Sequence, residues 1–511
     1  MEFHSILFEM PEDRSTVEDI DEPAFFGDLN LDQCVTEVTR GFDEYNLVPF
    51  FRTELTRESA VTFRHEVMRD LDDQRVLLGV HEFSLAMRKM RACCSEAERL
   101  YFKRQKEWWF LQATSLYCRA VQTFGPALSI AEPKSRGFRA FSSWLADHVQ
   151  SDAFKKLVSD VDNVRDALSR VRYCIHLHGN TVTILHSDDE VDYGAYVNGI
   201  FERFKQGEVK DHSVEQKDWP EMNHVEARIL DCVAELDPQP FIFLETFCND
   251  HADFVDTTIA AFDREVQFYI AFRRYIQPCR DAGLSFSYPV VSSATKAVRC
   301  DATYDLVLAH KLCEAKASVV CNDINLEGSE RIFVVSGPNN GGKTTFARTF
   351  GQLHFLGRLG CPVPGRNAHL FLYDQIFAHF EREENTLDLR GKLQDDLMRM
   401  HDILKASTSR SIILMNEIFS STTLADALYL CRKMIGEIIE RDALCVCVTF
   451  IEELARLGPQ TVSVVSEIDT DDFSLRTFRV RRRAADGRAY ALTVAEQYDL
   501  TYERIKERLA S

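Results

Sequence analysis

A chain of 511 residues, 45% hydrophobic and 27% charged, has material for two or more cores and the composition of an ordinary globular protein. Its formal net charge of −20 excludes a coat of basic surface, so any contact with nucleic acid has to come from local patches or a channel inside an assembly. The acidic start (Glu2, Glu9, Glu12, Asp13, Glu18, Asp19, Asp21) is the opposite of a signal or transit peptide, and no apolar run reaches bilayer length. The expectation is a cytoplasmic protein without a membrane span. The 15 cysteines are scattered, without a paired CxxC; Cys93 with Cys94 and Cys445 with Cys447 lie nearest. Reduced core thiols account for that pattern better than a zinc site does.

In chain order, residues 1–45 are an N-terminal segment and 46–285 a mostly helical region. From Leu55 to Gln122 charged residues alternate with Leu, Phe and Met at helical spacing. Ile130 to Gly137, with Glu132-Pro133-Lys134-Ser135, predicts a loop, and helical patterning returns over Phe154–Val171. Tyr173–Leu177 and Thr181–Leu185, joined through His178-Gly179-Asn180, predict a small β-hairpin. A long helix is expected over Leu244–Arg280, its stripe of Phe247, Phe254, Phe262, Phe268 and Tyr269 read as core. Residues 286–321 connect to a domain over 322–511 in which strands alternate with helices, so the fold class is an α/β nucleotide-binding domain preceded by helices.

The chemistry concentrates there. The β-rich run Arg331–Ser336 leads into Gly337-Pro338-Asn339-Asn340-Gly341-Gly342-Lys343-Thr344, which satisfies G-x-x-x-x-G-K-[ST], and Thr345–Leu356 reads as a helix. A strand, a glycine-rich loop and a helix N-terminus together make a phosphate cradle. Lys343 would neutralise the β- and γ-phosphates, Thr344 would ligate Mg²⁺, and Gly337 to Thr345 would surround ATP. The strand Ser411–Met415 ends in Asn416-Glu417. Glu417 is the candidate general base; Asn416, where phosphate-loop ATPases place a carboxylate, can still bind a metal-held water. Three further groups read as structural. Arg479, Arg481, Arg482 and Arg483 look like charge guarding an exposed strand edge. Trp108 and Trp109 beside Lys103, Arg104 and Lys106 fit helix packing better than nucleic-acid contact, and His176, His178 and His186 lack metal-ligand spacing.

GPNNGGKTT resembles the phosphate loop GPNMGGKST of the MutS family of DNA mismatch-repair ATPases. Val363-Pro364-Gly365 resembles that family's VPA, and Asn416 to Asp426 resembles DEIGRGTSTxD. Gly487–Ala495 (GRAYALTVA) is similar to SYGLAVA, and Asn322–Leu326 to the strand entering the ATPase domain. Phe63–Leu71 and the helix around Phe262 to Tyr275 resemble more weakly the start of the helical core and the lever. The resemblance implies an ABC-type ATPase domain below a lever and clamp, with ATP and Mg²⁺ as cofactors. It also implies a homodimer in which Asp426 crosses the interface, and DNA as partner.

The departures are as informative. Thr449-Phe450 stands where the family has Thr-His, removing the histidine expected to sense the γ-phosphate. Gly391-Lys392-Leu393 aligns with the signature Ser-Thr-Phe that caps a partner's γ-phosphate, leaving a backbone N–H and Lys392 for that task. Neither a domain with the Phe-x-Glu mismatch wedge nor a C-terminal nuclease-like extension is expected. The reading is therefore an ATPase directed by DNA structure, such as mismatched or branched DNA in repair or recombination. A non-hydrolysing ATP-gated clamp and a ribosome-associated ATPase stay open as alternatives.

Overall fold

A computed structural model of the chain describes residues 3–14, 21–187, 222–380, 391–468, 476–484, 501–502, 505–506 and 508. They divide into two compact units, one comprising Met1–Phe3, Leu71–Pro133 and Arg139–Asp263, the other His4–Asp70, Lys134–Phe138 and Arg264–Ser511. No helix among the described residues is long and apolar enough to cross a membrane.

The first unit is built on two long helices, Gln74–Arg99 and Lys103–Ala131. Asp73 caps the first by accepting the Arg75 N–H, and Glu132 ends the second in a left-handed conformation. The three residues between them force an antiparallel pair. Their apolar stripes meet at Phe83 and Phe124, stacked with ring centroids 4.5 Å apart, and Phe262 lies flat on Phe141 at 3.7 Å. Arg91 pairs with the buried carboxylate of Asp263 in the same core. The β-hairpin is present as Tyr173–His178 against Thr181–His186, antiparallel, with Gly179 at φ +60° in the turn. The single helix expected over Leu244–Arg280 is two, Pro238–Asp250 and Thr257–Asp281. The break falls where Asp256 Oδ1 accepts the N–H groups of Thr258 (2.7 Å) and Ile259 (3.3 Å), an aspartate start signal that overrides the aromatic periodicity.

The second unit carries a six-stranded sheet in the order Ile376–Phe380, Ile412–Asn416, Leu444–Val448, Ile332–Ser336, Thr461–Ile468, Arg476–Arg482. The first five strands are parallel and the last is antiparallel. Strands buried on both faces need continuous apolar runs, and IFVVS, IILMN and LCVCV supply them, every residue buried. A four-stranded sheet of Val290–Ser292, Arg366–Phe371, Val298–Thr303 and Asn322–Leu326 lies in the same unit, and Val363–Pro364 pairs with Phe286–Ser287. The helix Lys343–Arg358 is buried on nearly every face, its polar Thr349, Gln352, His354 and Arg358 included. The helix Phe26–Leu29 near the chain's start packs on it. Phe26 meets Phe355 edge-on at 5.1 Å, Gln352 Nε2 donates to the Leu29 carbonyl at 3.0 Å, and a side chain at Gly351 would overlap Leu29. Farther along, Arg358 Nε donates to the Leu55 carbonyl, and the wholly buried Arg64 donates to the carbonyls of Leu7 and Leu359. N-terminal residues thus line the helix that opens at the phosphate loop.

Candidate nucleotide site

The loop Gly337–Gly342 leaves the central strand Ile332–Ser336 and opens into the helix Lys343–Arg358, so its N–H groups and the helix N-terminus converge on one point. Gly337 and Gly342 have φ of +125° and +94°, conformations that glycine adopts without steric cost, and Asn340 takes +58°. Ser466, on the neighbouring strand, packs directly beneath. A Cβ on Gly341 would collide with Ser466 Oγ, and one on Gly337 would lie 2.9 Å from Ser466 Cβ. Ser466 Oγ also donates to the Gly341 carbonyl.

Lys343 is 4% exposed. Its Nζ donates to the Gly337 carbonyl at 2.9 Å and to Asn339 Oδ1 at 3.4 Å, and lies 3.5 Å from Glu417 Oε1. Burial pulls the Lys343 ammonium below its ordinary pKa, while the Glu417 charge and hydrogen bond pull it back up. Thr344 Oγ1 donates to Asn416 Oδ1 at 2.9 Å, joining the loop to the end of the strand Ile412–Asn416. Two neutral oxygens thus stand side by side, where a Mg²⁺ site is ordinarily built on a carboxylate.

After Asn416 the backbone is unusual. Glu417 and Phe419 both sit at positive φ, +55° and +59°, at a cost of roughly 1–2 kcal/mol each for a side-chain-bearing residue. Phe419 occupies the position of the first glycine in the DEIGRG pattern, and its ring is fully buried among Met400, Ile403 and Leu404 of the helix Lys392–Ala406 and residues of the sheet. The Glu417 N–H donates to the Val448 carbonyl at 2.9 Å, and the Phe419 N–H to Asp396 Oδ2 at 3.2 Å.

Phe450, at the place of the absent histidine, is 55% exposed and lays its ring over Lys343, with Nζ 4.1 Å from the centroid. Beside Gly342 and Thr345 a cavity of about 320 Å³ opens, walled by Val319, Val320, Phe346 and Phe478. Asn322 pins Phe478 there, donating to its carbonyl and accepting the Val480 N–H. An apolar slot next to a phosphate cradle has the character of a base-binding site. Ser466, Val319 and Val320 are site residues that the sequence reading missed. They are ordinary strand and loop residues with no motif, and only the fold brings them to the loop.

The remaining sites fall as follows. Gly391 and Lys392 stand at the head of the helix Lys392–Ala406. Asp426 is the third residue of the helix Leu424–Glu440, where Thr423 Oγ1 accepts its N–H and donates to its carboxylate. Gly487–Ala495 lies outside the described residues. Arg479, Arg481 and Arg482 lie in the edge strand Arg476–Arg482, with Arg481 paired to Glu467 and Arg482 to Glu330, which supports the guarded-edge reading; Arg483 follows the strand. Lys103 pairs with Glu245 at the surface and Arg104 with Glu107 beside the ring of Phe241, while Trp108, expected to pack in the core, is 46% exposed.

Comparison with known proteins agrees with this geometry. Residues 333–508 match the family model for MutS domain V. The chain is 28% identical over 244 residues to the Endonuclease MutS2 of Gemmatimonas aurantiaca, covering 47% of this chain and 29% of that protein. It is 32% identical over 139 residues to the DNA mismatch repair protein MSH3 of Eremothecium gossypii (27% and 13%), and 30% over 186 residues to the DNA mismatch repair protein MutS of Shouchella clausii (35% and 21%). The match therefore spans less than a third of each of these relatives. Residues 333–508, about a third of the chain, thus match MutS domain V, and the relatives that share this similarity are named MutS2, MSH3 and MutS.

Proposed function

We propose that this chain binds ATP with Mg²⁺ at the Gly337–Thr345 loop and hydrolyses it, working as a homodimer on mismatched or branched DNA. The observation that carries this reading is Lys343 Nζ held between the Gly337 carbonyl and Glu417, with Thr344 bonded to Asn416 beside it. That is the cation, hydroxyl and carboxylate that phosphoryl transfer to water requires. Lys343 neutralises phosphate charge. Glu417 exchanges its contact with Lys343 for the attacking water and orients it. Thr344 and, through water, Asn416 would hold Mg²⁺, which would supply charge neutralisation at the phosphates. The cavity at Val319, Val320 and Phe478 takes the base. Gly391, Lys392 and Asp426 act toward the partner subunit's nucleotide. DNA as ligand rests on the relatives' names, two of which say mismatch repair.

A second reading is an ATP-gated clamp that turns over little or no ATP. Asn416 in place of a carboxylate and the Phe450 ring over Lys343 favour it. One experiment separates the two: steady-state ATP turnover at fixed salt, with and without branched DNA, for the wild type and Glu417→Gln. Turnover stimulated by the branch and lowered roughly a hundredfold in the variant supports the ATPase. Tight ATP binding without turnover in either protein supports the clamp, and DNA that changes neither binding nor turnover removes DNA as the ligand.

A further inference from the structure

Asp396 lies in the second turn of the helix Lys392–Ala406, away from every motif, yet it joins three elements. Its Oδ2 accepts the Phe419 N–H at 3.2 Å, two residues beyond Glu417. Its Oδ1 faces Nε2 of the buried His379 at 2.9 Å, on the edge strand Ile376–Phe380, whose Phe380 is in register with Asn416. Arg399, one turn along the helix, donates to the Ala378 carbonyl of that strand at 2.8 Å. Phe419 is fully buried in the same hydrophobic cluster as Met400 and Ile403 of that helix, a second link between turn and helix. A bulky residue persists in a left-handed conformation only where its surroundings over-determine it, and the carboxylate and the apolar pocket do so here.

We infer that Asp396 is a positioning residue for hydrolysis. Its carboxylate fixes the Glu417 turn against the helix that begins at Gly391 and Lys392, so that Glu417 and this helix move as one body. The inference rests on the ATPase reading above. Removing the carboxylate frees the turn without touching the phosphate loop. Glu417 then loses its aim at the water while Lys343, Thr344 and the base cavity keep their nucleotide.

The test uses the full chain, comparing the wild type with Asp396→Ala and His379→Gln by titration of a fluorescent ATP analogue, steady-state turnover and hydrogen exchange. In the wild type the Phe419 amide should exchange as slowly as the strand amides of Ile412–Asn416; fast exchange there overturns the inference whether or not any variant folds. Asp396→Ala, which removes the acceptor, should keep nucleotide affinity within about twofold, lower kcat by roughly tenfold or more, and accelerate exchange at Phe419 while the strands stay protected. His379→Gln, which leaves the Asp396 bond to Phe419 intact, should stay near wild type. Wild-type kcat with unchanged exchange in Asp396→Ala sinks the proposal, and so does a parallel loss of affinity and turnover, which marks general damage. If the wild type binds ATP without turning it over, the hydrolysis reading fails on its own. Exchange at Phe419 in Asp396→Ala then decides whether Asp396 fixes the turn, faster supporting it and unchanged overturning it.

Discussion

Two turns in the second unit do parallel jobs with different materials. The loop after Ile332–Ser336 and the turn after Ile412–Asn416 both leave the end of a parallel strand, and both need backbone in the left-handed region. In the loop that conformation falls to Gly337, Gly342 and an asparagine; in the turn it falls to Glu417 and Phe419. The loop meets the requirement mostly with glycine, at little steric cost, and lets Ser466 approach its backbone. The turn accepts strain and offsets it with a buried ring and a carboxylate bond. The loop proposed for phosphate binding therefore keeps the form that the MutS resemblance implies, whereas the turn proposed for hydrolysis carries larger side chains at its left-handed positions.

The comparison breaks most visibly at the loop. Lys343→Ala removes the buried cation that faces Glu417 and is proposed to neutralise phosphate, and affinity for a fluorescent ATP analogue should fall roughly a hundredfold or more. Affinity within threefold of wild type would mean that the loop does not carry phosphate recognition. At the turn the corresponding probe is Phe419→Gly. Glycine relieves about 1–2 kcal/mol of backbone strain, but emptying a fully buried aromatic site costs about 3–5 kcal/mol. The larger effect wins, so chemical denaturation should show a net loss of about 2 kcal/mol. A stabilised variant would show that strain dominates and that the ring contributes little.

Asn416→Asp sharpens the contrast further. It puts a charge beside Thr344 Oγ1, 2.9 Å from the present amide oxygen, and restores the carboxylate that a phosphate-loop site ordinarily has. The Mg²⁺ concentration for half-maximal turnover, or for half-maximal nucleotide affinity if turnover is absent, should fall several-fold. An unchanged Mg²⁺ requirement would remove Asn416 from the metal's surroundings.

What could be read in advance follows the range of the interactions. Strand, loop and helix around Lys343 are local, and their spacing states the chemistry directly. Asn416 and Glu417 are legible because a β-rich run ends at them. Ser466 reaches the loop only through the parallel pairing of Thr461–Ile468 with Ile332–Ser336, and a lone serine in a strand carries no signal. Phe419 hides for the opposite reason: a phenylalanine argues against a left-handed turn, so its conformation shows only in the backbone. The docking of Phe26–Leu29 on the phosphate helix depends on the notch at Gly351, more than three hundred residues away. The break before Thr257 was readable, since Asp256 is an ordinary start signal, but a strong aromatic stripe concealed it.

The smallest expected effect concerns the phosphate helix itself and its response to acid. His354 is wholly buried in that helix, with Nδ1 2.8 Å from the Phe350 carbonyl, and burial pushes its pKa down to about 4. His65 is depressed to about 3 by burial and by Arg69. Both stay neutral in the folded chain down to those values, whereas in the unfolded chain they take up protons near pH 6.5. Below that pH the unfolded state binds more protons, so stability falls as pH drops from about 6.5 toward 4, by up to about 1.4 kcal/mol per pH unit for each histidine. Burial raises Glu54 and Asp305 instead, which favours the folded chain in acid, so the total slope mixes opposing groups. The difference between wild type and His354→Leu isolates one of them. Leucine keeps the site apolar, so stability at pH 7.5 should change little, while the loss between pH 6 and pH 4.5 should be shallower by about one proton's worth. Parallel stability curves across that range would mean that His354 is already protonated in the folded helix, or that its surroundings are wetter than its burial implies.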